Sequence, residues 1–466
     1  MRALTAVLVL SLLAGCNGPP KNLLERIKQR GVLVVATRNS PTTYYVGPDG
    51  KTGLEYDLAS GFAKRLGVKL RIVVPDRFDQ IIPMVASGEA DLAAAGLTVT
   101  EARTKQVRFG PHYQDITQQV VYRRGSSRPR DIEDLTGGIL EVVAGSSHAS
   151  ELKRLAKDHP DLRWKADKDM DSEELLYLVW QQLIDYTVAD SNEVALNQRF
   201  YPELRVAFNL TDPQPLAWAF ARGSDDSLYN AANQYFADLK KSGDLEQLID
   251  RYYGHVEDFD YVGTRLYLRH IKLRLPRLEP YFQAAGRKTG LDWRLLAAMG
   301  YQESHWNPKA RSPTGVRGIM MLTLTTAKQL DVDNRLDPEQ SIIGGARYFA
   351  HVKDRIPDRI PEPDRTWLAL AAYNVGFGHL EDARKLTKMR GGDPDKWVDV
   401  KKTLPLLSQK KWYKRTRFGY ARGREPVIYV ENIRSYYDLL VWTDGQQHNP
   451  VKPPARQIQA LDSPVL

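Results

Sequence analysis

A change of rhythm divides this chain. From about residue 23 to 256, apolar runs of strand length alternate with amphipathic stretches of helix length; from about 273 to 445, mainly helical spacing remains. Gly31-Val32-Leu33-Val34-Val35-Ala36 reads as a buried strand. Tyr56 to Gly67 reads as an amphipathic helix stopped by glycine. Val68 to Val74 is the next strand, Phe78 to Ser87 a helix and Ala90 to Ala95 a strand. This β-α-β order implies a largely parallel sheet, because parallel neighbours need a crossover connection. A second set begins near Gln119 to Tyr122, continues through Leu140 to Ala144 and Thr187 to Asp190, and Leu216 to Phe220 reads as a return strand. Two α/β lobes joined by crossovers near 116–121 and 208–216 fit. The expected fold class is multidomain: a two-lobed α/β domain followed by a mainly α domain.

The 466 residues suffice for about two to four domains. The expected divisions are a signal peptide at 1–16, a linker at 17–22, the α/β domain at 23–256 and a linker with a leading helix at 257–272. The helical domain then fills 273–445, and 446–466 is a tail containing Pro450, Pro453, Pro454 and Pro464, for which disorder is expected.

The first residues address the chain to a compartment. Arg2 precedes an apolar stretch from Leu4 to Leu13, too short to span a bilayer. Leu13-Ala14-Gly15-Cys16 follows and resembles the lipobox of bacterial lipoproteins. Cys16 is the only cysteine, so no intramolecular disulfide forms and its thiol is free for acylation. The resemblance implies a lipid anchor on Cys16. Asn17, where inner-membrane retention usually has Asp, implies the periplasmic face of the outer membrane. An ordinary cleaved signal with an incidental cysteine is the alternative.

The formal charge of +9 favours an anionic partner: nucleic acid, anionic lipid or an acidic polymer. No zinc pattern, RNP-like motif or P-loop is present, so nucleic acid has no motif behind it, and neither metal nor cofactor is expected. Residues 401–424 hold nine Lys and Arg, no acidic residue, and interleaved Trp412, Tyr413, Phe418 and Tyr420. Outside the cytoplasm this run suits an anionic glycan bearing peptide carboxylates, a membrane surface, or simply solvent.

Within the α/β region, Gly53-Leu54-Glu55-Tyr56-Asp57-Leu58-Ala59, the run Asp91 to Arg103, and Phe109-Gly110-Pro111-His112-Tyr113 resemble motifs of amino-acid-type periplasmic solute-binding proteins. The resemblance covers about 230 residues and implies a ligand cleft between the lobes. Arg103 then stands where a ligand α-carboxylate is bound, its planar fork suiting bidentate pairing. Gly96 and Thr98 match further contacts, Ser146 belongs to the turn that offers amide N–H groups, and Asp190 matches the partner of the α-amine. An amino acid or a muropeptide is the implied ligand; the alternative is that these residues only hold a non-binding domain together.

In the helical region, Asp292 is placed to N-cap a helix on which Leu295, Leu296 and Met299 share a face with Glu303. A carboxyl group at the end of that apolar face is poorly solvated, which raises its pKa as a general acid requires. A paired, structural helix-end Glu is the alternative for this segment alone. Four motifs follow in order: Gln302-Glu303-Ser304, Gly315 to Leu322, Ala371-Ala372-Tyr373-Asn374, and Ile428-Tyr429-Val430. Together they resemble the lysozyme-like domain of lytic transglycosylases, over about 150 residues. Met321 replaces the usual Gln, and the Met320-Met321 pair resembles one branch of that family, which also carries a solute-binding-like domain.

The resemblance implies cleavage of peptidoglycan between MurNAc and GlcNAc with formation of a 1,6-anhydro end. Glu303 is the implied catalytic acid, with Met320, Met321, Tyr373, Asn374 and Tyr429 lining the substrate cleft. Ser304 steadies the acid or the N-acetyl group, or caps the helix. Tyr373 and Tyr429 read equally as core aromatics. Glu431 is the only candidate for a second carboxylate, with its direction open.

Overall fold

The computed structural model describes residues 22–47, 50–254, 261–312 and 315–448. The lipobox Cys16, the linker before Asn22, the break at Asp258 to Asp260 and the tail from 449 lie outside them.

Twelve strands are described: β1 (Val32–Ala36), β2 (Tyr45–Gly47), β3 (Gly50–Thr52), β4 (Lys69–Val73), β5 (Leu92–Ala93), β6 (Val107–Ile116), β7 (Gln118–Arg123), β8 (Leu140–Val143), β9 (Lys165–Asp167), β10 (Tyr186–Asp190), β11 (Leu204–Asn209) and β12 (Gln214–Ala221). The first lobe is a sheet of order β4-β1-β5-β12-β6 and the second a sheet of order β11-β7-β10-β8-β9. Each holds three parallel strands, as the β-α-β rhythm requires. Each also holds two antiparallel pairings, made by one reversed strand (β12 in the first sheet, β7 in the second), which the rhythm does not announce. The cause is the double crossing: β6 leaves the first lobe, β12 re-enters it, and the two pair along their length. The crossing strands are tied side by side, with Gln118 Nε2 donating to Gln214 Oε1 at 2.9 Å and Leu210 N to Gln118 O at 2.7 Å.

Local differences have local causes. The segment Phe78–Gln80 is a 3-10 turn and the α-helix proper is Ile81–Ser87. Only Leu92–Ala93 of the expected strand is paired as strand, because the chain bends at Gly96, whose φ is +62°.

The rest is helical and closes around one hydrophobic core. Its centre is the helix Trp293–Ser304, in which every residue from Arg294 to Tyr301 is buried. Asp292 caps it, Oδ1 accepting from Arg294 N at 2.9 Å. Leu296 and Met299 are fully buried, each side chain contributing about 1.5–3 kcal/mol. The helix Tyr261–Leu273 sends Tyr267 and Ile271 into the same core, so the helical unit takes in residues expected as a linker.

Both lobes lean on this unit. From the first lobe, the helix Asp244–Tyr253 offers Asp244 to Lys396 at 2.6 Å, Glu246 to Lys402 at 2.6 Å, and Asp250 to Lys401 and Arg434. From the second lobe, Arg199 pairs with Asp438 at 2.9 Å and Phe200 stacks on Trp442 with centroids 4.9 Å apart. Arg434, Asp438 and Trp442 share one long helix, Arg424–His448. Lys401 and Lys402 therefore leave the basic run of the sequence and serve the domain interface.

Candidate active site and interlobe cleft

Glu303 sits one residue before the end of its helix. His305 and Trp306 follow with φ of +52° and +56°, a conformation costing about 1–2 kcal/mol per non-glycine residue. Trp306 holds the corner in place, buried, with its indole Nε1 donating to Ala297 O at 2.8 Å. The chain thus turns just past the carboxyl group, which stays half-buried rather than sealed. Tyr429, from the second turn of the helix Arg424–His448, donates its hydroxyl to Glu303 Oε1 at 2.7 Å. Burial pushes the Glu303 carboxyl up to about 7, and the Tyr429 hydrogen bond opposes the shift only in part. At neutral pH the group is therefore divided between its acid and base forms.

Tyr373 lies beside this pair. Its ring stacks on that of Tyr429 at 6.4 Å and 16°, and its hydroxyl donates to Met320 O at 3.2 Å. Burial and the Glu303 charge push both phenols well up, so both stay protonated donors. Ala371 and Ala372, both buried, leave room for this approach. Asn374 is exposed at the end of the same helix, free to meet a sugar.

The Gly315 to Leu322 loop reaches the site by its backbone. Gly318 has φ +84°, and a Cβ there would lie 1.8 Å from Arg335 O, so only glycine fits. Met320 does not line the cleft wall with its side chain. That side chain is buried between Gly300 and Gly345, and its carbonyl is what faces Tyr373. Met321 is half-buried with φ +46°, a third non-glycine residue held left-handed at this site. Ser304 donates to Gly300 O at 3.1 Å, while the cap of the helix is His305.

Glu431 is no partner for Glu303. Two residues past Tyr429 it points to the other side of the helix, about 200° round. There it accepts from Arg434 Nη1 at 2.9 Å and from Lys401 Nζ at 3.4 Å. Burial and the Tyr429 bond alone set the Glu303 shift; no charged neighbour contributes among the described residues.

Between the lobes, Gly96, Thr98, Arg103, Ser146 and Asp190 do converge, on a cavity of about 20 Å³. That holds roughly one water. The reason is that the cleft is filled by its own charges. Arg38 of the first lobe pairs with Glu193 of the second. His148 Nε2 lies 2.9 Å from Asp190 Oδ1, both buried. Arg103 donates to Thr98 O at 3.0 Å and across the lobes to Gly145 O at 3.3 Å, with Phe78 5.6 Å from its guanidinium. Burial holds its pKa down to about 10. Ser147 Oγ reaches Thr98 Oγ1 at 3.2 Å, and Ser146 caps the helix Ser147–Leu155. Burial, with Asp171 and Glu193 nearby, pushes Glu173 up to about 8. Arg38, His148, Glu173 and Glu193 are absent from the sequence expectations. Arg38 had a signal: it follows the carboxyl end of a buried strand, where ligands of open α/β sheets bind.

Comparison with known proteins adds two family matches. Residues 33–255 match bacterial extracellular solute-binding proteins, family 3, and residues 280–395 match the transglycosylase SLT domain. The chain is 56% identical over 422 residues to membrane-bound lytic murein transglycosylase F 1 of Alkalilimnicola ehrlichii, covering 90% of this chain and 85% of that one. It is 52% identical over 421 residues to membrane-bound lytic murein transglycosylase F of Saccharophagus degradans, covering 90% and 84%. Among solved structures, an ancestral arginine-binding protein bound to arginine is 29% identical with a TM-score of 0.44, covering 48% of this chain and 99% of that one.

Proposed function

This chain belongs to the membrane-bound lytic murein transglycosylase F family and is a peptidoglycan lytic transglycosylase; from that premise we propose that Glu303 acts twice in one turnover. As acid, it gives its proton to the glycosidic oxygen as the bond from C1 of MurNAc to O4 of GlcNAc breaks. The N-acetyl oxygen of MurNAc supports the positive charge at C1. As carboxylate, Glu303 takes the proton of the sugar's own 6-hydroxyl while that oxygen bonds to C1. The proton count closes without water, and a 1,6-anhydro ring remains. Glycosidases that use water or a covalent intermediate generally need a second carboxylate. The observation that carries the proposal is a half-buried Glu303 poised near pH 7 by burial and one tyrosine.

Tyr429 orients the acid, and Tyr373 fixes the Met320 carbonyl and shields the pair from water. Asn374, exposed, and Met321, half-buried, are assigned to substrate contact, and Ser304 contributes through its helix.

The protein is membrane-associated through an acylated Cys16, on the periplasmic face of the outer membrane. Loss of acyl labelling and release from membranes in Cys16→Ala is the expected result. In the α/β domain, an amino acid or a muropeptide binds once the lobes part and Arg103 and Asp190 exchange their present partners for its carboxylate and amine.

The deciding experiment digests purified peptidoglycan with the chain from residue 17 onward and weighs the products. Anhydro muropeptides are expected, and none from Glu303→Gln. MurNAc reducing ends instead would overturn the anhydro mechanism.

A further inference from the structure

The segment from Lys410 to Arg424 is absorbed by neither the acid site nor the domain interface. Lys410, Lys411, Lys414, Arg415, Arg417 and Arg424 are exposed and have no carboxylate partner among the described residues. Arg390, Lys411 and Arg415 stand 5.2, 5.4 and 5.7 Å from the ring of Trp412, and Arg417 stands 5.4 Å from that of Phe418. Phe418 and Tyr420 are 52% and 56% exposed, two exposed rings on the same basic segment.

The segment is fixed, and fixed beside the acid site. Asp382 accepts from Arg417 N at 3.0 Å and from Phe418 N at 2.8 Å. Ala421 N donates to Leu407 O at 3.1 Å. The Phe418 ring covers Gly378, four residues after Asn374. Arg424 opens the helix that carries Tyr429 five residues later, about 7–8 Å along its axis. The surface is therefore built onto the start of the helix that carries Tyr429 and lies against Gly378, four residues past Asn374.

We propose that residues 410–424 form a subsite for the carboxylates of the stem peptides on the glycan strand, with Phe418 and Tyr420 offering ring faces to its sugars. This rests on the transglycosylase reading. Its chemistry is matched on both counts: clustered cations for carboxylates, and exposed rings for the apolar faces of sugars. A bare glycan strand supplies only the second. The subsite accordingly selects strands still bearing peptides.

The test measures binding of the full chain from residue 17 to sacculi coupled to a solid support through their glycan, and to the same coupled sacculi stripped of peptides by an amidase. Wild type is expected to bind intact sacculi about tenfold more tightly, a preference erased at high salt. The variant K411Q/K414Q/R415Q/R417Q is expected to lose that preference, keep its binding to stripped sacculi and keep the wild-type melting temperature. Equal binding of wild type to both sacculi overturns the proposal, as does a variant that retains the preference. Tighter binding of wild type to vesicles containing anionic phospholipid than to intact sacculi also overturns it, and assigns the surface to the membrane. The wild-type comparison stands even if the variant does not fold. Loss of anhydro products from wild type would instead strike the transglycosylase mechanism, leaving binding a separate reading.

Discussion

Arg434 stands five residues beyond Tyr429 on one helix, and the two hold different domains. Tyr429 holds Glu303, while Arg434, 2% exposed, holds the Asp250 carboxylate at 3.3 Å and its carbonyl at 2.6 Å. Further along the same helix, Asp438 and Trp442 meet the second lobe. Any parting of the lobes must therefore either break one of these holds or move the helix that orients the acid.

Arg434→Ala removes the guanidinium and leaves Asp250 and Glu431 with Lys401 as their remaining cation among the described residues. Breaking a buried pair outright costs about 3–5 kcal/mol, and Lys401 offsets part of that cost here. Calorimetry is expected to show a lower melting temperature and separate transitions for the two domains. A single unshifted transition would show that the interface does not couple them.

Glu303→Gln should abolish turnover and stabilise the fold in a pH-dependent way. The folded carboxyl titrates at about 7 against 4.5 for an unperturbed one. Between those values the folded state binds more protons than the unfolded state, so stability falls as pH rises. Above pH 7 the full penalty of about 3 kcal/mol is present. The variant should melt well above wild type at pH 8 and level with it at pH 4. Parallel melting curves across that range refute the raised pKa.

Tyr429→Phe removes the one bond that favours the carboxylate. The Glu303 pKa should rise further, and the alkaline limb of the pH–rate profile should move up with it. Turnover at pH 7 should fall by about tenfold as the acid loses its orientation. A profile of unchanged shape would make Tyr429 a packing residue only.

Gly345→Ala places a Cβ 2.5 Å from the Met320 Cβ. Overpacking of this kind costs about 1–3 kcal/mol. Because the displaced residue carries the carbonyl that Tyr373 holds, turnover should fall as well as melting temperature. A stable variant with full activity would show that the Met320 loop can shift without effect.

The strand and helix order of both lobes was legible because burial imposes its period on the sequence. Glu303, Tyr429 and Tyr373 were legible through motif order, and the Asp292 cap through its local chemistry. The antiparallel strands were not, since pairing between β6 and β12 joins residues a hundred positions apart. The Met320 side chain was misplaced for a related reason: Gly300 and Gly345, which receive it, come from two other helices. Arg38, Glu193 and His148 escaped because a charged residue in sequence carries no mark of the charge it will face. Lys401 and Lys402 look identical to their neighbours until Asp250 and Glu246 are brought to them by the fold.

The pairing of Arg38 with Glu193 and of His148 with Asp190 makes the interlobe cleft its own first tenant. A visitor bearing a single sign of charge would satisfy one side and strand the other away from water. On the reading that this cleft takes a ligand, a zwitterion relieves both at once, so the pattern of charge selects before shape does.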